Sequence, residues 1–328
     1  MIDVHLKIEI GIIGYKNHAA KLIDLIQERT DSKIKYIFHP TKKIDNLKYT
    51  PNLSDLFTCD AIIIASPNNT HYEYLQQCCD GFDGYIFCEK PPVTSLDDLN
   101  KLEKIPLEQK QRLFFNFNYR FSKTSETIKN ALNSDAIGKI SFINIISNHG
   151  LAFKKEYVGS WRSDGTKNLH NILETVSIHH LDLMNFHFGK LKTFTYNPSL
   201  QSGFGTSFDT CHLVLNYEND VSVSILNSYA TPLIDDLSII GTNGYLNIRS
   251  NNLEIHSPRD SFNSNGLFTI PPLHYGSSFE IEKIQLDSLR NSLDYFLNHV
   301  IQKKYFDLHL FQTSISSNRL VFEIEKFF

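Results

Sequence analysis

The segment Ile8-Glu9-Ile10-Gly11-Ile12-Ile13-Gly14-Tyr15-Lys16-Asn17-His18-Ala19 decides the fold class of this chain. Its first six residues are mostly apolar without alternation, which is typical of a strand buried on both faces, and Gly14 ends the run. From Asn17 to Glu28 the apolar residues recur at a helical spacing. A buried strand followed directly by an amphipathic helix indicates a parallel sheet covered by helices.

The same alternation of strand and helix continues to about residue 118. Four further apolar strands are predicted, at Ile34–Phe38, Asp60–Ala65, Tyr85–Cys88 and Arg112–Asn118. The rest of the chain is rich in segments that alternate apolar with polar residues, which favours an antiparallel sheet with one packed face. We therefore predict an α/β protein with two domains. Residues 1–121 form a Rossmann domain with a doubly wound parallel sheet, and residues 122–328 form an α+β domain with a large open, mostly antiparallel sheet.

Composition excludes several classes of protein. The formal net charge of −4 does not provide the basic surface that nucleic acid requires. No stretch approaches the roughly 20 apolar residues that cross a bilayer, so no membrane partner is expected. The five cysteines lack metal-type spacing, and the N-terminus lacks the layout of a signal peptide. We expect reduced thiols and a cytoplasmic protein.

The first turn departs from the dinucleotide-binding pattern Gly-x-Gly-x-x-Gly. Gly14 is present, Ala19 is a common substitute for the third glycine, and Lys16 replaces the second. Two interpretations remain open for Lys16: it contacts a phosphate from an opened turn, or it obstructs the pyrophosphate and weakens binding. The helix start at Asn17 favours an anion in either case.

The loop after the second strand bears on the choice of cofactor. It runs from Phe38 through His39, Pro40 and Thr41 to Lys42 and Lys43, without the carboxylate that binds the ribose diol of NAD. The loop is either a solvated basic segment or a site for a 2′-phosphate formed by Thr41 and Lys42 or Lys43. The second interpretation favours NADP over NAD.

Glu89-Lys90-Pro91 closes the apolar strand Tyr85–Cys88. The carboxyl ends of parallel strands are where open α/β sheets bind ligands, and the proline stops the strand directly after the lysine. Far along the chain, His179 and Asp182 lie one turn apart on a predicted helix. A lysine at a sheet edge and a histidine on a helix suit an acid–base pair.

Taken in order, these motifs resemble the Gfo/Idh/MocA family of oxidoreductases. The resemblance covers the whole chain and rests on motifs at Gly11–Gly14, Ala65–His71, Glu89–Pro91, Asn118–Phe121, Gly138–Ile140, Trp161–Arg162, His179–Asp182 and Gly241–Gly244. It implies NAD(P)-dependent oxidation or reduction at a CH–OH group of a sugar, cyclitol or nucleotide-linked sugar. It also implies a second-domain sheet that mediates dimers or tetramers.

The resemblance assigns roles to individual residues. His179 is the acid–base group and Lys90 its electrostatic partner, although the reverse assignment stays open. Cofactor contacts are expected from Gly14, Lys16, Asn17, His39, Thr41, Lys42, Ser66, Pro67, Asn68, His71, Glu89 and Lys90. Substrate contacts are expected from Lys90, Asn118, Arg120, Trp161, Arg162, Thr175, His179 and Asp182. Lys90 and His179 come from different domains and are expected to meet in the cleft between them.

One family residue is missing. The second-domain motif Asp-x-Gly-x-His-x-x-Asp places Thr175 where the catalytic aspartate stands, and Glu174 next to it points about 100° away on an α-helix. Three readings of function therefore remain: a sugar oxidoreductase, a reductase of another small carbonyl or imine compound, and a non-catalytic or regulatory binding homologue. No metal is expected, because the histidines near Asp182 do not share one helical face.

Overall fold

The computed structural model describes residues 7–41, 48–249, 252–278 and 281–327, with the side chains of 281–285 left undescribed. The chain divides into two compact units. The first comprises residues up to Asn118 together with Leu289–Phe322, and the second comprises Tyr119–Ser288 with the last residues from Glu323.

A six-stranded parallel sheet forms the centre of the first unit. Its strands are β1 (Ile8–Ile13), β2 (Ser32–Phe38), β3 (Tyr49–Thr50), β4 (Ala61–Ile64), β5 (Tyr85–Glu89) and β6 (Leu113–Asn116). The helices along this part of the chain are α1 (His18–Gln27), α2 (His71–Gly81), α3 (Leu96–Leu102) and α4 (Leu107–Lys110). Every residue of β4 is buried, as expected of a strand covered on both faces. The predicted Rossmann-type sheet is confirmed, and the short edge strand β3 was not predicted.

The strand order in this sheet is β3-β2-β1-β4-β5-β6. Two strands are added on one side of β1, and the chain then crosses to the other side for β4. The carboxyl ends of β1 and β4 are therefore the point where the order reverses, which is where open α/β sheets bind ligands.

An eight-stranded sheet dominates the second unit, with the order β14-β13-β12-β11-β7-β10-β9-β8. Its strands are β7 (Ile140–Asn148), β8 (Leu191–Ser199), β9 (Thr210–Tyr217), β10 (Ser222–Ser228), β11 (Ile234–Gly241), β12 (Tyr245–Arg249), β13 (Asn252–His256) and β14 (Leu273–Ser278). Only β7 and β10 pair in parallel, and the other neighbours are antiparallel. This confirms the predicted mostly antiparallel sheet, to which β14 is an unpredicted addition.

Helix α5 (Lys123–Asn133) opens the second unit, and α6 (Ile178–Phe188) packs on the buried face of β9. The Tyr217 hydroxyl donates to Asn185 Oδ1 at 2.9 Å, and the Tyr217 and Phe188 rings lie 5.9 Å apart. Directly before α6, Leu173–Ser177 forms a wider π-helical turn rather than the continuous α-helix expected from the sequence. These contacts fix the helix that carries His179.

The last two helices, α7 (Ile281–Gln302) and α8 (Leu308–Lys326), extend over both units along the sequence. Residues 289–322 belong to the first unit, whereas the predicted boundary assigned all of 122–328 to the second domain. The physical reason is an aromatic cluster in which the Phe296 and Phe306 rings lie 5.3 Å from Phe87 and 5.4 Å from Phe114, respectively. In the described part of the chain, every helix is too short or too polar to cross a membrane. The cytoplasmic location stays a prediction.

Candidate functional site

The turn after β1 lies against the end of β4. Gly14 has φ +102°, and a Cβ atom added there would lie 2.6 Å from the Ala65 carbonyl oxygen. Only glycine fits both the backbone angle and this approach. The fold itself therefore requires glycine at position 14, where the strand order of the sheet reverses.

Residues Lys16 and Asn17 continue this turn and are both exposed. Asn17 has φ 51° and ψ −107°, a conformation that side chains rarely adopt. The Lys16 ammonium lies 5.8 Å from the centre of the Tyr15 ring, so the side chain folds back over the turn. Its exposure is compatible with a phosphate contact, the first of the two interpretations of Lys16.

The loop after β2 contacts the same turn. The rings of His39 and Tyr15 meet edge to face at 5.7 Å. The Thr41 backbone N–H donates to Nδ1 of His39 at 3.2 Å, and the Tyr49 hydroxyl donates to the His39 carbonyl at 3.1 Å. Lys42 and Lys43, which the NADP prediction invokes, lie outside the described residues.

The loop after β4 is held by His71, the first residue of α2. Its side chain is fully buried, with Nδ1 2.8 Å from the Pro91 carbonyl oxygen and Nε2 3.0 Å from the Ser66 carbonyl oxygen. The Thr70 hydroxyl lies 2.7 Å from Ser66 Oγ. Because both ring nitrogens face backbone carbonyls, His71 positions the two loops relative to each other. The cofactor contact expected of His71 stays a prediction. The neighbouring residues Pro67 and Asn68 remain accessible on the loop.

Glu89, at the end of β5, forms the centre of a hydrogen-bonded chain. The Asn116 amide donates to Glu89 Oε1 at 2.7 Å, and Ser292 in turn donates to Asn116 Oδ1 at 2.6 Å. On the other side, His18 Nε2 lies 3.0 Å from Glu89 Oε1. The Glu89 side chain is 11% exposed and that of His18 46%. The carboxylate is thus fixed from inside, and the imidazole is its accessible partner.

Each group of this pair stabilises the charged form of the other. The carboxylate of Glu89 raises the pKa of His18, against the opposing effects of burial, Lys21 and Lys90. Burial opposes ionisation of Glu89, but the charge and hydrogen bond of His18, with the hydrogen bond of Asn116, lower its pKa. The end of β5 therefore carries a fixed carboxylate that favours the protonated form of the His18 imidazole, next in sequence to half-buried Lys90.

In the second unit, His179 lies on α6 beneath an aromatic ring. The Tyr119 ring stacks on the His179 imidazole with centroids 4.5 Å apart and an angle of 22° between the planes. Burial raises the pKa of the Tyr119 hydroxyl to about 12, so it stays protonated at neutral pH. The ring thus limits the orientations open to the imidazole.

Arg120 and Asp182 form a buried bidentate ion pair. Arg120 Nε donates to Asp182 Oδ2 at 2.7 Å and Nη2 donates to Oδ1 at 2.6 Å, with side-chain exposures of 2% and 0%. The guanidinium also lies over the Phe186 ring at 5.3 Å. The structure pairs these two residues with each other, and the contact with the substrate that the sequence assigned to both stays a prediction. Together with Tyr119 they clamp the start of the second unit onto α6.

Thr175 occupies the position of the missing carboxylate. Its hydroxyl lies 2.6 Å from the Asn171 carbonyl oxygen and 2.6 Å from the Tyr229 hydroxyl. Arg162 also acts on Tyr229, whose pKa is raised by burial and lowered by Thr175 and Arg162. Trp161 is exposed and lies under the guanidinium of Arg162 at 4.4 Å. Thr175 and Arg162 therefore both act on Tyr229, and Trp161 stacks on Arg162. Their contact with a substrate stays a prediction.

Glu174 is turned to a different partner. Burial and the charge of Glu174 raise the pKa of Glu325 to about 8, so these two carboxyl groups share a proton near neutrality. Glu174 therefore interacts with Glu325 of the same unit. His187 Nε2 lies 2.8 Å from Ser125 Oγ. Within the described residues, no three His, Cys, Asp or Glu side chains lie close enough together to bind a metal ion.

Three residues of these sites were missed from the sequence: His18, Tyr119 and Tyr229. Tyr119 was quoted only as part of a motif, and Tyr229 follows a strand without any signal of its own. His18 had a signal, because it is a titratable residue inside the nucleotide turn. The predicted site residue Asn118 ends the first unit, next to Tyr119.

The fold and the edge of the parallel sheet define a dinucleotide-binding α/β protein with a second, sheet-rich unit. Residues 8–117 match the oxidoreductase family with an NAD-binding Rossmann fold, and residues 125–247 match the GFO/IDH/MocA C-terminal domain. The chain belongs to the Gfo/Idh/MocA family of oxidoreductases.

Characterised relatives are similar over part of the chain. Glucose-6-phosphate 3-dehydrogenase of Bacillus subtilis is 25% identical over 178 residues, which are 52% of this chain and 50% of that protein. Myo-inositol 2-dehydrogenase of Thermotoga maritima is 28% identical over 131 residues, 40% of this chain and 36% of that protein. The match therefore spans half or less of these curated relatives. An oxidoreductase from Agrobacterium radiobacter, solved with NAD+, L-tartaric acid and magnesium, has the same fold, with a TM-score of 0.77, 18% identity and coverage of 98% of this chain and 96% of that one.

Proposed function

We propose that this protein is an NAD(P)-dependent oxidoreductase that acts on a CH–OH group of a sugar or nucleotide-linked sugar. The observation that carries the proposal is the ordered, charged edge of the parallel sheet in the first unit. At that edge Gly14 lies where the strand order reverses, and Glu89, which pairs with His18, and Lys90 lie at the carboxyl end of strand β5, the neighbour of β4. The family to which the chain belongs has an NAD-binding Rossmann fold. The names of the two curated relatives support a sugar or cyclitol as the substrate class.

The residues of the first unit fit a dinucleotide. Lys16 and His18, whose protonated form the Glu89 carboxylate favours, lie at the start of α1, and exposed Pro67 and half-buried Asn68 follow β4 at the same edge. When bound, the cofactor would supply or accept the hydride. The protein has to position the substrate and move the hydroxyl proton.

We assign proton transfer to His179 and electrostatic stabilisation to Lys90. A neutral imidazole accepts a hydroxyl proton near neutral pH, and an ammonium lowers the free energy of an oxygen that becomes negative. Stacking on Tyr119 favours one ring orientation of His179. Arg162 beside Trp161 offers a cation to a phosphate or carboxylate of the substrate.

One observation favours a second candidate, a non-catalytic or regulatory binding protein on the same scaffold. The position of the catalytic aspartate holds Thr175, whose hydroxyl is taken by Asn171 and Tyr229. Mass spectrometry of small molecules released from the purified protein, together with turnover assays on sugars and cyclitols, separates the two. Tight binding of a dinucleotide without turnover of any such substrate, or of small carbonyl and imine compounds, would favour the second candidate.

The protein is expected to bind NADPH more tightly than NADH. Thr41, Lys42 and Lys43 provide a hydroxyl and two cations for a 2′-phosphate, and the run from Phe38 to Lys43 contains no carboxylate to repel it. Replacing both lysines with alanine should reduce the ratio between the dissociation constants of NADH and NADPH. Both constants can be measured by the quenching of protein fluorescence. The matched control is Lys104→Ala with Lys110→Ala, which removes equal charge elsewhere. Equal affinity of the unmodified protein for the two cofactors at moderate salt would contradict the prediction.

The second-unit sheet is expected to mediate a homodimer or homotetramer. On its outer face Phe142 (36% exposed) pairs with Ile240 (44% exposed), which pairs in turn with Tyr245. Apolar side chains on a sheet face usually mark an interface. Light scattering should give a dimer or tetramer at micromolar concentration, and Ile240→Glu should shift it towards monomer. The control Leu107→Glu places the same charge at an exposed leucine of the first unit. A monomeric unmodified protein would refute the prediction.

A further inference from the structure

We infer that His18 is a binding residue for the cofactor pyrophosphate and replaces the recognition that the second glycine of the fingerprint provides elsewhere. The inference rests on the proposed dinucleotide binding. The group bound would be the pyrophosphate, which carries two negative charges, and His18 would donate a hydrogen bond to it as a cation.

The first step is the geometry of the imidazole. Nε2 of His18 is bound to Glu89 Oε1 at 3.0 Å, and Glu89 is held in turn by Asn116. Among the described residues, none forms a hydrogen bond with His18 Nδ1, and the side chain pairs through Nε2 with Glu89. With Nε2 fixed on a buried carboxylate and almost half of the side chain exposed, the second nitrogen is the one open to a ligand.

The second step is charge. The groups that act on His18 are Glu89 from β5, which raises its pKa, and Lys21 on α1 and Lys90 after β5, which lower it. Burial also opposes the charged form, yet the carboxylate prevails. A protonated imidazole donates from both nitrogens, so the one bound to Glu89 leaves an N–H for an anion.

The third step is position. His18 belongs to the segment in which Lys16 displaces glycine, and the Ala19 N–H is used by the Lys16 carbonyl at 3.0 Å. The Ala19 N–H, which a more open turn would offer to a phosphate, is therefore occupied within the protein. A side-chain donor one residue earlier supplies both the hydrogen bond and the charge.

The sign of the pH effect follows. Because the pKa of His18 is raised, the cation is present at low pH and is lost as the pH rises through that value. Affinity for the dinucleotide should therefore be highest on the acidic side and fall on the alkaline side. In the ligand-free protein, the stability that the His18–Glu89 pair contributes changes in the same direction.

The experiment is a set of fluorescence titrations with NADH and with ADP-ribose, which keeps the pyrophosphate but lacks nicotinamide, between about pH 6 and pH 9. The unmodified protein should lose roughly tenfold in affinity for both ligands across that range, the scale of a hydrogen bond to a charged group. His18→Gln should bind with the weaker, pH-independent affinity. Glu89→Gln should move the midpoint to lower pH, a shift that a merely structural role for the pair would not produce.

Lys16→Gln is the matched control. It removes a cation from the same turn and leaves the His18–Glu89 pair in place, so it should lower affinity without removing the pH dependence that His18 causes. Circular dichroism checks that each variant is folded, and the chemical shift of the His18 ring protons reports its pKa directly, which should rise when ADP-ribose binds.

Three outcomes would overturn the inference. Binding of both ligands with the same pH dependence in His18→Gln as in the unmodified protein would exclude His18. A pH dependence confined to NADH would assign His18 to the nicotinamide half. Absence of binding by any dinucleotide at any pH would refute the proposed function itself, which distinguishes that failure from the first two.

Discussion

Replacing His179 with alanine is expected to slow turnover by roughly 100-fold or more, the scale of general acid–base catalysis. Without the imidazole, no side chain of the second unit is assigned to take the substrate proton. Lys90→Ala should have an effect of similar size, because the developing negative charge on oxygen loses its cation. Dissociation constants for the cofactor should change little in His179→Ala.

The double variant sharpens this test. If both residues act on one substrate hydroxyl, Lys90→Ala combined with His179→Ala should be about as slow as the slower single variant, since groups that act as a unit are not additive. The control is His274→Ala, an exposed histidine on β14. If His179→Ala turns over within a few-fold of the unmodified protein, His179 is not the acid–base group. If the two single effects multiply fully in the double variant, Lys90 and His179 do not act on one shared hydroxyl.

Removal of the Asp182 carboxylate is expected to reduce the free energy of unfolding by about 3–5 kcal/mol, because it leaves a buried guanidinium without its counter-charge. Asp182→Ala would leave Arg120, which is 2% exposed, without the two hydrogen bonds of the ion pair. Urea denaturation followed by circular dichroism measures the difference. The surface variant Asp97→Ala, which breaks an exposed ion pair with Lys101, should cost less than about 1 kcal/mol.

A compensating variant distinguishes charge from packing. Arg120→Met combined with Asp182→Leu should recover most of the lost stability, because replacing a buried ion pair with apolar side chains is often neutral. A loss below about 1 kcal/mol in Asp182→Ala would show that water or another group reaches Arg120, and the clamp on α6 would then lose its basis.

The sequence predicted the parts of the fold that depend on periodicity. The apolar runs of β1 and β4 and the alternation along β9 and β10 each specify a strand and the faces that it buries. The family motifs placed Gly14 and Glu89–Lys90 at the sheet edge for the same reason, since they end strands.

The sequence did not predict which charged side chains pair with each other. Arg120 and Asp182 are 62 residues apart, and nothing local in either segment indicates that each satisfies the other. The same holds for His18 and Glu89, which meet only because the carboxyl ends of β1 and β5 lie at one edge. The π-helical turn at Leu173–Ser177 has no apolar pattern that separates it from an α-helix.

The aromatic cluster of the first unit bears on how the chain is made and folds. Phe87 and Phe114 lie early in the sequence, whereas Phe296 and Phe306, which pack on them, follow the segment Tyr119–Ser288 of the second unit. The ribosome must therefore synthesise the chain through Phe306 before this core can close. Contacts between residues so distant in sequence also slow the search for the native state. A fragment ending at residue 121 would expose these rings to solvent, so the nucleotide-binding unit is expected to need its C-terminal helices to fold.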